Sequence, residues 1–288
     1  MSTSPSVGDP RKVFASGLFT GKTALVTGGG RGIGAATALG FASLGANVVI
    51  AARTTEDLQR TKGEIEALGV ECLAHETNIR DIAAVESLRD AVEARFGAVD
   101  FLINNAGGQF LANPFDISDN GWRAVIDLNL NGTWNVISRF VRPMMQRGSG
   151  SIVNIIHIYS FERGAPMFAH SGAARAGVTN LTRSLAPYLE ARGVTINALA
   201  PGTIISEAAA KNYGMTTDEW RVTVDRTRPG DPEDMAAMAM FLCSPAARML
   251  NGAVLVADAA LSQVNWPAYS MEDLFDQSLA KFQGEPAT

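Results

Sequence analysis

The sequence has few of the residues that form disulfides, metal sites or charged binding surfaces. Its 288 residues include two cysteines, Cys72 and Cys243, which lie far apart and form no metal-ligand or redox motif. We therefore expect no disulfide and a reducing compartment. No spacing of His, Cys and carboxylates indicates a bound metal. The net charge of −5, without any run of Lys or Arg, argues against nucleic acid or anionic membrane as a partner.

Long apolar segments are absent as well. No apolar run approaches the roughly 20 residues that a membrane-spanning helix needs. Residues 1–11 are rich in Ser, Pro and Gly and lack the apolar stretch that is typical of a signal peptide. These absences predict a soluble, cytoplasmic protein that does not enter a membrane.

Core-forming residues are plentiful. Hydrophobic residues make up 47% of the chain and charged residues 18%, a balance that favours a globular fold over disorder. Short apolar runs alternate with helical patterns, which predicts a single doubly wound α/β domain with a seven-stranded parallel sheet of the Rossmann type and helices on both faces. The predicted strands are Thr23–Thr27, Asn47–Ala52, Val70–His75, Phe101–Asn104, Ser151–Ile156, Thr195–Ala200 and Ala253–Val256. The predicted helices include Gly34–Leu44, Glu56–Leu68, Ile82–Phe96 and Ser171–Arg192.

A glycine-rich loop follows the first predicted strand and opens into the first helix. It reads Thr27-Gly28-Gly29-Gly30-Arg31-Gly32-Ile33-Gly34. Glycines let the backbone approach a pyrophosphate, and a helix N-terminus offers free N–H groups and a positive dipole. Glycines also serve ordinary turns, but this order of strand, loop and helix favours a dinucleotide site. Its predicted contacts are Gly28, Arg31, Gly32, Ile33 and Gly34.

The second predicted strand lacks the terminal acidic residue that would bind the adenosine ribose of NAD. It ends in Ala51-Ala52-Arg53, and Arg31 and Arg53 flank the expected position. A forked, permanently charged guanidinium suits a 2′-phosphate. The alternative is that both are solvated surface arginines. We predict NADP(H) as the cofactor.

Three further motifs follow in order along the chain. Asn104-Asn105-Ala106-Gly107 comes after the fourth strand, Asn129-Leu130-Asn131-Gly132 lies in the next helix, and Pro201-Gly202-Thr203-Ile204 ends the sixth strand. With the glycine-rich loop, this set resembles the short-chain dehydrogenase/reductase family over Phe19 to Leu261.

The resemblance implies further cofactor contacts and a domain layout. The implied contacts are Asn78, Ile79, Asn105, Ala106, Gly107, Arg175, Pro201, Gly202, Thr203 and Ile204. It implies a catalytic domain over residues 19–261 with a substrate-covering lid at about 207–228. Residues 1–18 would be an N-terminal extension and residues 262–288 a tail with a short helix over Met271–Phe282. Family members associate through the helices that carry Trp122 and Trp134 here, so we expect a homo-oligomer, a tetramer or dimer.

The family's usual proton-donating Tyr and its Lys are missing. Ser171 and Arg175 stand at those positions, and His157 stands where the family has a Ser. The usual Asp-Gly-Gly reads Asp258-Ala259-Ala260. Serine is far too weak an acid to replace tyrosine, so the proton donor lies elsewhere or the activity is lost.

Two subsets of the family share features of this pattern. The 2,4-dienoyl-CoA reductases carry a Tyr just after the fifth strand and Ser at the usual Tyr position, which matches Tyr159 and Ser171. The stretches Gly107–Leu111 and His170–Val178 resemble the peroxisomal trans-2-enoyl-CoA reductases, which also have Ser and Arg in the helix but lack a match to Tyr159. Both subsets reduce a C=C bond conjugated to a thioester.

These resemblances predict catalytic roles for Tyr159, Ser171, Arg175 and Asn129. Tyr159 is the predicted general acid, and Ser171 would donate to the thioester oxygen. Arg175 would bind the cofactor ribose or stabilise an enolate, and Asn129 would maintain a proton-relay water.

Each assignment has an alternative. Tyr159 could instead be a loop aromatic that packs over the ligand, and Asn129 a polar helix residue bonded to backbone. His157 and His170 could each donate a proton near neutral pH, although most lone histidines are hydrogen-bonded structural residues.

The predicted function is an NADPH-dependent reductase of an enoyl- or dienoyl-thioester. One alternative is a carbonyl or alcohol oxidoreductase of a hydrophobic small molecule. An alternative of another class is a catalytically silent NADP-binding scaffold or sensor, because the Tyr–Lys pair is missing.

Overall fold

The computed structural model contains one seven-stranded parallel sheet over the residues that the structure describes, which are 9–160, 164–212, 214–224 and 229–263. The strands are β1 Thr23–Thr27, β2 Asn47–Ala52, β3 Cys72–Glu76, β4 Phe101–Asn104, β5 Gly150–Ile155, β6 Val194–Pro201 and β7 Val254–Ala257. Their order across the sheet is β3-β2-β1-β4-β5-β6-β7. The chain adds β2 and β3 on one side of β1 and then adds β4 to β7 on the other side. The order of strands thus reverses between β1 and β4, which opens a crevice at the carboxyl ends of these two strands. The predicted doubly wound fold is confirmed.

Helices connect the strands and cover both faces of the sheet. They are α1 Gly32–Ser43, α2 Thr55–Glu66, α3 Ile82–Phe96, α4 Asp119–Ile126, α5 Gly132–Arg147, α6 Ala169–Glu190, α7 Glu207–Asn212, α8 Thr217–Val224 and α9 Pro232–Cys243. A π-helical turn, Asp127–Asn131, joins α4 to α5. Helix α6 begins two residues before the predicted start at Ser171, so Ser171 lies in its first turn.

Two apolar layers enclose the sheet. Side chains from α1, α2 and α9, among them Phe41, Ile65 and Met240, pack on one face. Side chains from α3, α5 and α6, among them Leu88 and Met144, pack on the other. Burial on both faces explains why the strands are almost continuously apolar.

A buried chain of polar side chains ties β4, β5 and α6 together. Nδ2 of Asn104 donates to Oδ1 of Asn154 at 2.8 Å, and Nδ2 of Asn154 donates to Oγ1 of Thr182 at 2.9 Å. Thr182 in turn donates to the carbonyl of Val178 at 2.8 Å. Because buried amides need hydrogen-bond partners, this chain sets the position of α6 relative to the strand ends.

The segment after β6 forms part of the predicted lid. The side chains of Ile205, Ala210 and Trp220 form a buried apolar cluster, with Met215 packed against it. Residues 213 and 225–228 of the predicted lid, and the predicted tail helix Met271–Phe282, lie outside the described residues.

The two cysteines are buried and unpaired. Among the residues that the structure places, no helix has the length and apolarity needed to cross a membrane.

Candidate active site

The glycine-rich loop and α1 form the first wall of the crevice. Helix α1 begins at Gly32 after Arg31, whose side chain makes no capping hydrogen bond. The first backbone N–H groups of the helix therefore stay available for an anion. A Cβ on Gly34 would overlap the carbonyl of Gly28 and lie 2.6 Å from Nδ2 of Asn105, so this position must be glycine.

Thr27, the last residue of β1, joins this loop to the segment after β4. Its buried hydroxyl accepts hydrogen bonds from the backbone N–H groups of Asn105 and Ala106, both at 3.0 Å. The side-chain amide of Asn105 returns a bond to the carbonyl of Thr27 at 3.0 Å. Sequence reasoning assigned Thr27 no role, although its place at the end of a strand before the loop was a usable signal.

The residues predicted to bind the adenosine end lie at the adjoining strand ends. Arg31 and Arg53 are exposed, while Ile79 is buried against Gly132. Oδ1 of Asn78 accepts a hydrogen bond from the N–H of Arg80 at 3.2 Å. The structure thus leaves both predicted arginines accessible at one end of the crevice.

Arg60 was not predicted and also contacts the glycine-rich loop. Its Nη2 donates to the carbonyl of Gly30 at 2.8 Å, and its Nη1 lies 3.3 Å from a carboxylate oxygen of Glu64. Arg60 therefore supports the loop from α2.

The predicted nicotinamide end is held by backbone hydrogen bonds. The N–H of Gly202 donates to the carbonyl of Ala257 at 3.0 Å. The N–H of Gly230 donates to the carbonyl of Thr203 at 2.9 Å, and the N–H of Ile205 donates to the carbonyl of Gly230 at the same distance. These bonds fix the turn that contains Pro201, Gly202, Thr203 and Ile204 at the end of β6.

Asn129 lies in the π-helical turn and is 2% exposed. Its Nδ2 donates to the carbonyls of Gly108 and Val125, each at 2.8 Å, and its Oδ1 accepts from the N–H of Gly108 at 3.2 Å. The Asn129 amide thus bonds to the backbone, as in the alternative given above for this residue. Such π-turns occur frequently at functional sites, and the sequence did not predict this one.

The guanidinium of Arg175 lies beside Asn129. Its Nη1 donates to the carbonyl of Ile155, the last residue of β5. A Cβ on Gly107 would overlap Nη2 of Arg175 and lie 2.7 Å from Oδ1 of Asn129, so both groups flank one point in the crevice. Nε of Arg175 is buried without a hydrogen-bond partner, and no carboxylate of the described residues pairs with this side chain. Burial lowers the pKa of Arg175 to about 10, so it remains charged at neutral pH.

Ser171 is fully buried between two other polar side chains. Its hydroxyl donates to Oε1 of Gln109 at 2.7 Å, and its Oγ lies 3.1 Å from Nε2 of His157. Sequence reasoning gave Gln109 no role, because only the folded chain brings it to Ser171.

His157 follows β5 and is held at both ring nitrogens. Its Nδ1 accepts a hydrogen bond from the N–H of Tyr159 at 3.1 Å, while Nε2 faces Ser171. Burial, reinforced by the positive charge of Arg175, lowers the pKa of His157 to about 3. The ring is therefore neutral at neutral pH, which weakens the alternative that His157 is the proton donor.

Tyr159 lies in a short 3₁₀ turn, Ile158–Ser160, against the first turns of α6. Its ring stacks on Phe168, with centroids 5.8 Å apart and an interplanar angle of 14°. Its carbonyl oxygen lies 3.3 Å from the point that a Cβ on Gly172 would occupy. The structure thus places Tyr159 next to the helix that carries Ser171 and Arg175.

His170 is fully buried, and neither ring nitrogen has a hydrogen-bond partner. Its ring packs edge-on against Phe110 with centroids 4.4 Å apart. Desolvation lowers the pKa of His170, so the neutral form is favoured.

The structure therefore assembles a polar cluster from three regions of the chain. Gln109 and Gly107 come from the loop after β4, His157 from the loop after β5, and Ser171 and Arg175 from α6. The cluster contains hydrogen-bond donors and a permanent positive charge, the groups that stabilise a developing oxyanion. Among the described residues, no group of His, Cys, Asp and Glu is arranged to hold a metal ion.

Known proteins match the chain along most of its length. Residues 28–262 match the family model described as Enoyl-(Acyl carrier protein) reductase. A probable 2,4-dienoyl-CoA reductase of Bacillus subtilis (strain 168) is 37% identical over 243 residues, which cover 82% of this chain and 95% of the relative.

Solved structures of related proteins also match the chain. The citronellol catabolism dehydrogenase of Pseudomonas aeruginosa PAO1 is 38% identical with a TM-score of 0.76, covering 87% of this chain and 99% of its own. The actinorhodin polyketide ketoreductase, solved with NADPH, is 29% identical with a TM-score of 0.80, covering 87% of this chain and 100% of its own. Because these relatives are oxidoreductases, the silent-scaffold alternative is set aside. The chain is an oxidoreductase that belongs to the short-chain dehydrogenase/reductase family.

Proposed function

We propose that the protein is an NADPH-dependent reductase of a C=C bond conjugated to a thioester, with an enoyl- or dienoyl-CoA as substrate. The observation that carries this proposal is the hydrogen-bonded Ser171 beside Arg175, with Tyr159 on the adjoining turn. Ser171, at the family's usual Tyr position, is hydrogen-bonded to the uncharged side chains of Gln109 and His157. We infer that it donates a hydrogen bond and does not act as the acid. Reduction of a conjugated C=C bond needs a hydrogen-bond donor to the thioester oxygen and a separate acid that protonates a carbon atom. Ser171 and Tyr159 fit these two roles.

NADPH, when bound, supplies a hydride to the unsaturated chain. The Ser171 hydroxyl would donate its one proton to the thioester oxygen in place of Oε1 of Gln109, and the amide N–H of Gln109 would donate to the same oxygen. Arg175 would stabilise the negative charge that develops on this oxygen or bind the cofactor ribose. The Tyr159 hydroxyl would then protonate the enolate carbon, after which the tyrosinate regains a proton from water. One hydride and one proton are consumed for each C=C bond reduced.

The cofactor assignment to NADP(H) is supported by Arg31 and Arg53. Both side chains are exposed, and β2 lacks the terminal acidic residue that would bind the adenosine ribose of NAD. We propose that the cofactor also contacts the other residues predicted for this role, which are Gly28, Gly32, Ile33, Gly34, Asn78, Ile79, Asn105, Ala106, Gly107, Arg175, Pro201, Gly202, Thr203 and Ile204. We propose that residues 19–261 form the catalytic domain and that residues 207–228 cover the substrate.

We further propose a cytoplasmic homo-oligomer, a dimer or tetramer, that interacts with no membrane or nucleic acid. Trp122 and Trp134 remain 41% and 45% exposed on α4 and α5, which is consistent with a subunit interface on these helices. On the same helix α5, Phe140 and Met144 are instead buried in the core and Met145 is half-buried.

The decisive experiment is Tyr159→Phe assayed with NADPH and a trans-2-enoyl-CoA. We expect kcat to fall by about 100-fold or more, the usual contribution of a general acid, with the Kd for NADPH unchanged. Tyr188→Phe is a matched control, since Tyr188 lies exposed near the far end of α6. Unchanged turnover by Tyr159→Phe would contradict the acid role.

A carbonyl oxidoreductase is the second candidate, because the structural match to a ketoreductase is as strong as the others. Oxidation of NADPH with a hydrophobic ketone, but with no enoyl- or dienoyl-CoA, would establish it in place of the first.

A further inference from the structure

We propose that His157 is a positioning residue that fixes the direction in which the Ser171 hydroxyl donates its proton. The inference rests on the proposed function in one respect, that Ser171 is a donor to the substrate oxygen. His157 would act only through Ser171.

The backbone determines the protonation of the ring. The N–H of Tyr159 can only donate, so Nδ1 of His157, 3.1 Å away, must accept and carries no proton. A neutral imidazole has one N–H, which is then at Nε2. Nε2 therefore donates to Oγ of Ser171, at 3.1 Å.

The same reasoning determines the polarity of Ser171. Its oxygen accepts from His157, and its own proton is directed to Oε1 of Gln109 at 2.7 Å. The Tyr159 N–H, the Nε2–H of His157 and the Ser171 hydroxyl thus each donate to the next group, and the last acceptor is Gln109. A substrate oxygen would accept this proton in place of Oε1 of Gln109, so Ser171 recognises an atom that accepts a hydrogen bond, as a thioester oxygen or enolate oxygen does.

The ring has little freedom to change this polarity. A rotation of the ring by 180° would place carbon atoms opposite both the Tyr159 N–H and the Ser171 oxygen. The N–H would lose its acceptor and the Ser171 oxygen its donor, while the bond from Ser171 to Gln109 would remain. The carbonyl of His157 also accepts from the N–H of Ser160 at 3.1 Å and from its hydroxyl, which closes the turn around the ring. Protonation of Nδ1 is opposed by burial and by Arg175.

Two substitutions separate the two hydrogen bonds of the ring. His157→Asn keeps an acceptor near the position of Nδ1 and removes the donor to Ser171. His157→Gln keeps a donor near the position of Nε2 and removes the acceptor for Tyr159. We expect His157→Asn to lower kcat about tenfold, the value of one neutral hydrogen bond, with the Kd for NADPH unchanged. We expect His157→Gln to retain most of the turnover that His157→Asn loses.

A double-mutant cycle tests whether His157 acts through Ser171. In the Ser171→Ala background, His157→Asn should cause no further loss of kcat. An equal loss in both backgrounds, or a larger loss in His157→Gln than in His157→Asn, would overturn the proposal.

A measurement on the full chain without substrate separates this inference from the proposed function. In ¹⁵N NMR spectra at neutral pH, His157 should be protonated at Nε2 and unprotonated at Nδ1. Detection of the Nδ1–H form refutes the positioning role whichever substrate the enzyme reduces. If the wild type turns over no conjugated thioester while the Nε2–H form is found, the proposed function fails, and the cycle is run with the ketone that is reduced.

Discussion

The hydroxyl of Ser171 donates a hydrogen bond of 2.7 Å to the side chain of Gln109, which lies 62 residues earlier in the chain. This bond connects the first turn of α6 to the loop that follows β4. The loop also contains Gly107, beside which Arg175 lies. The two family departures in α6, Ser171 and Arg175, thus both lie against the same loop.

Gly107→Ala should abolish most of the activity. The new Cβ would overlap Nη2 of Arg175 and lie 2.7 Å from Oδ1 of Asn129, and such overpacking costs about 1–3 kcal/mol of stability. We expect kcat to fall at least about tenfold, because a misplaced catalytic group commonly causes larger losses. Steady-state kinetics and thermal unfolding measure both effects.

Gly108→Ala is the matched control for that substitution. Its Cβ would lie 3.4 Å from Cδ2 of Leu128, an ordinary contact. A similar loss of activity in both variants would contradict the steric explanation.

Arg31→Ala and Arg53→Ala should weaken NADPH binding selectively. Each guanidinium that bonds a 2′-phosphate contributes a charge-assisted hydrogen bond, so we expect the Kd for NADPH to rise about tenfold or more. The Kd for NADH should change little. Arg89→Ala, on the exposed surface of α3 beside Asp90, is the control. Equal effects on both cofactors, measured by titration calorimetry, would argue against a 2′-phosphate site.

Ala259→Gly and Ala260→Gly should stabilise the protein. These alanines have φ values of 51° and 67°, in the left-handed region where a Cβ costs about 1–2 kcal/mol. Glycine removes that strain but adds backbone entropy to the unfolded chain, so each change should raise the free energy of unfolding by about 0.5–1 kcal/mol.

Ala94→Gly, at an exposed position inside α3, provides the comparison. It should lower the free energy of unfolding by about 1 kcal/mol, because helical alanine has no such strain. Urea titrations distinguish the two signs. Destabilisation by all three changes would show that residues 259 and 260 are unstrained.

Stability should decrease in mild acid partly through His157. Its pKa is lowered from 6.5 to about 3 by burial and by Arg175. Below pH 6.5 the unfolded chain binds a proton that the folded protein does not, so the free energy of unfolding falls by up to about 1.4 kcal/mol per pH unit. The contribution is complete above pH 6.5 and is lost as the pH falls towards 3.

His157→Gln should reduce this dependence. Urea titrations between pH 7 and pH 4 give the slope of the free energy of unfolding against pH for the wild type and for the variant. The difference between the two slopes excludes the contribution of the carboxylates, because both proteins share them. Parallel slopes would mean that His157 is protonated normally in the folded state.

Much of the fold was predictable because strands buried on both faces are continuous apolar runs that stand out between helical patterns. The bounds predicted for β1, β2, β4 and α3 agree with the structure. The start of β3 was predicted at Val70, two residues before Cys72, since an edge strand has a weaker apolar signal. The family and its glycine-rich loop were equally accessible, as their motifs are contiguous in sequence.

The roles of the departures were not predictable to the same degree. The sequence showed that Tyr and Lys were replaced by Ser171 and Arg175, and that Asp258 was followed by two alanines. It did not show that Ser171 would bond Gln109, since hydrogen bonds between distant segments depend on atomic positions that no spacing rule encodes.

The sequence by itself determined the doubly wound sheet, the cofactor loop and the missing Tyr–Lys pair, because each depends on local pattern and residue type. Only the tertiary structure decided how the replaced site is arranged. It brought together Gln109 and His157 from two loops and Ser171 from α6, placed Arg175 beside Gly107, and left His157 neutral. Burial and hydrogen-bond direction, which govern proton positions, exist only once the chain has folded.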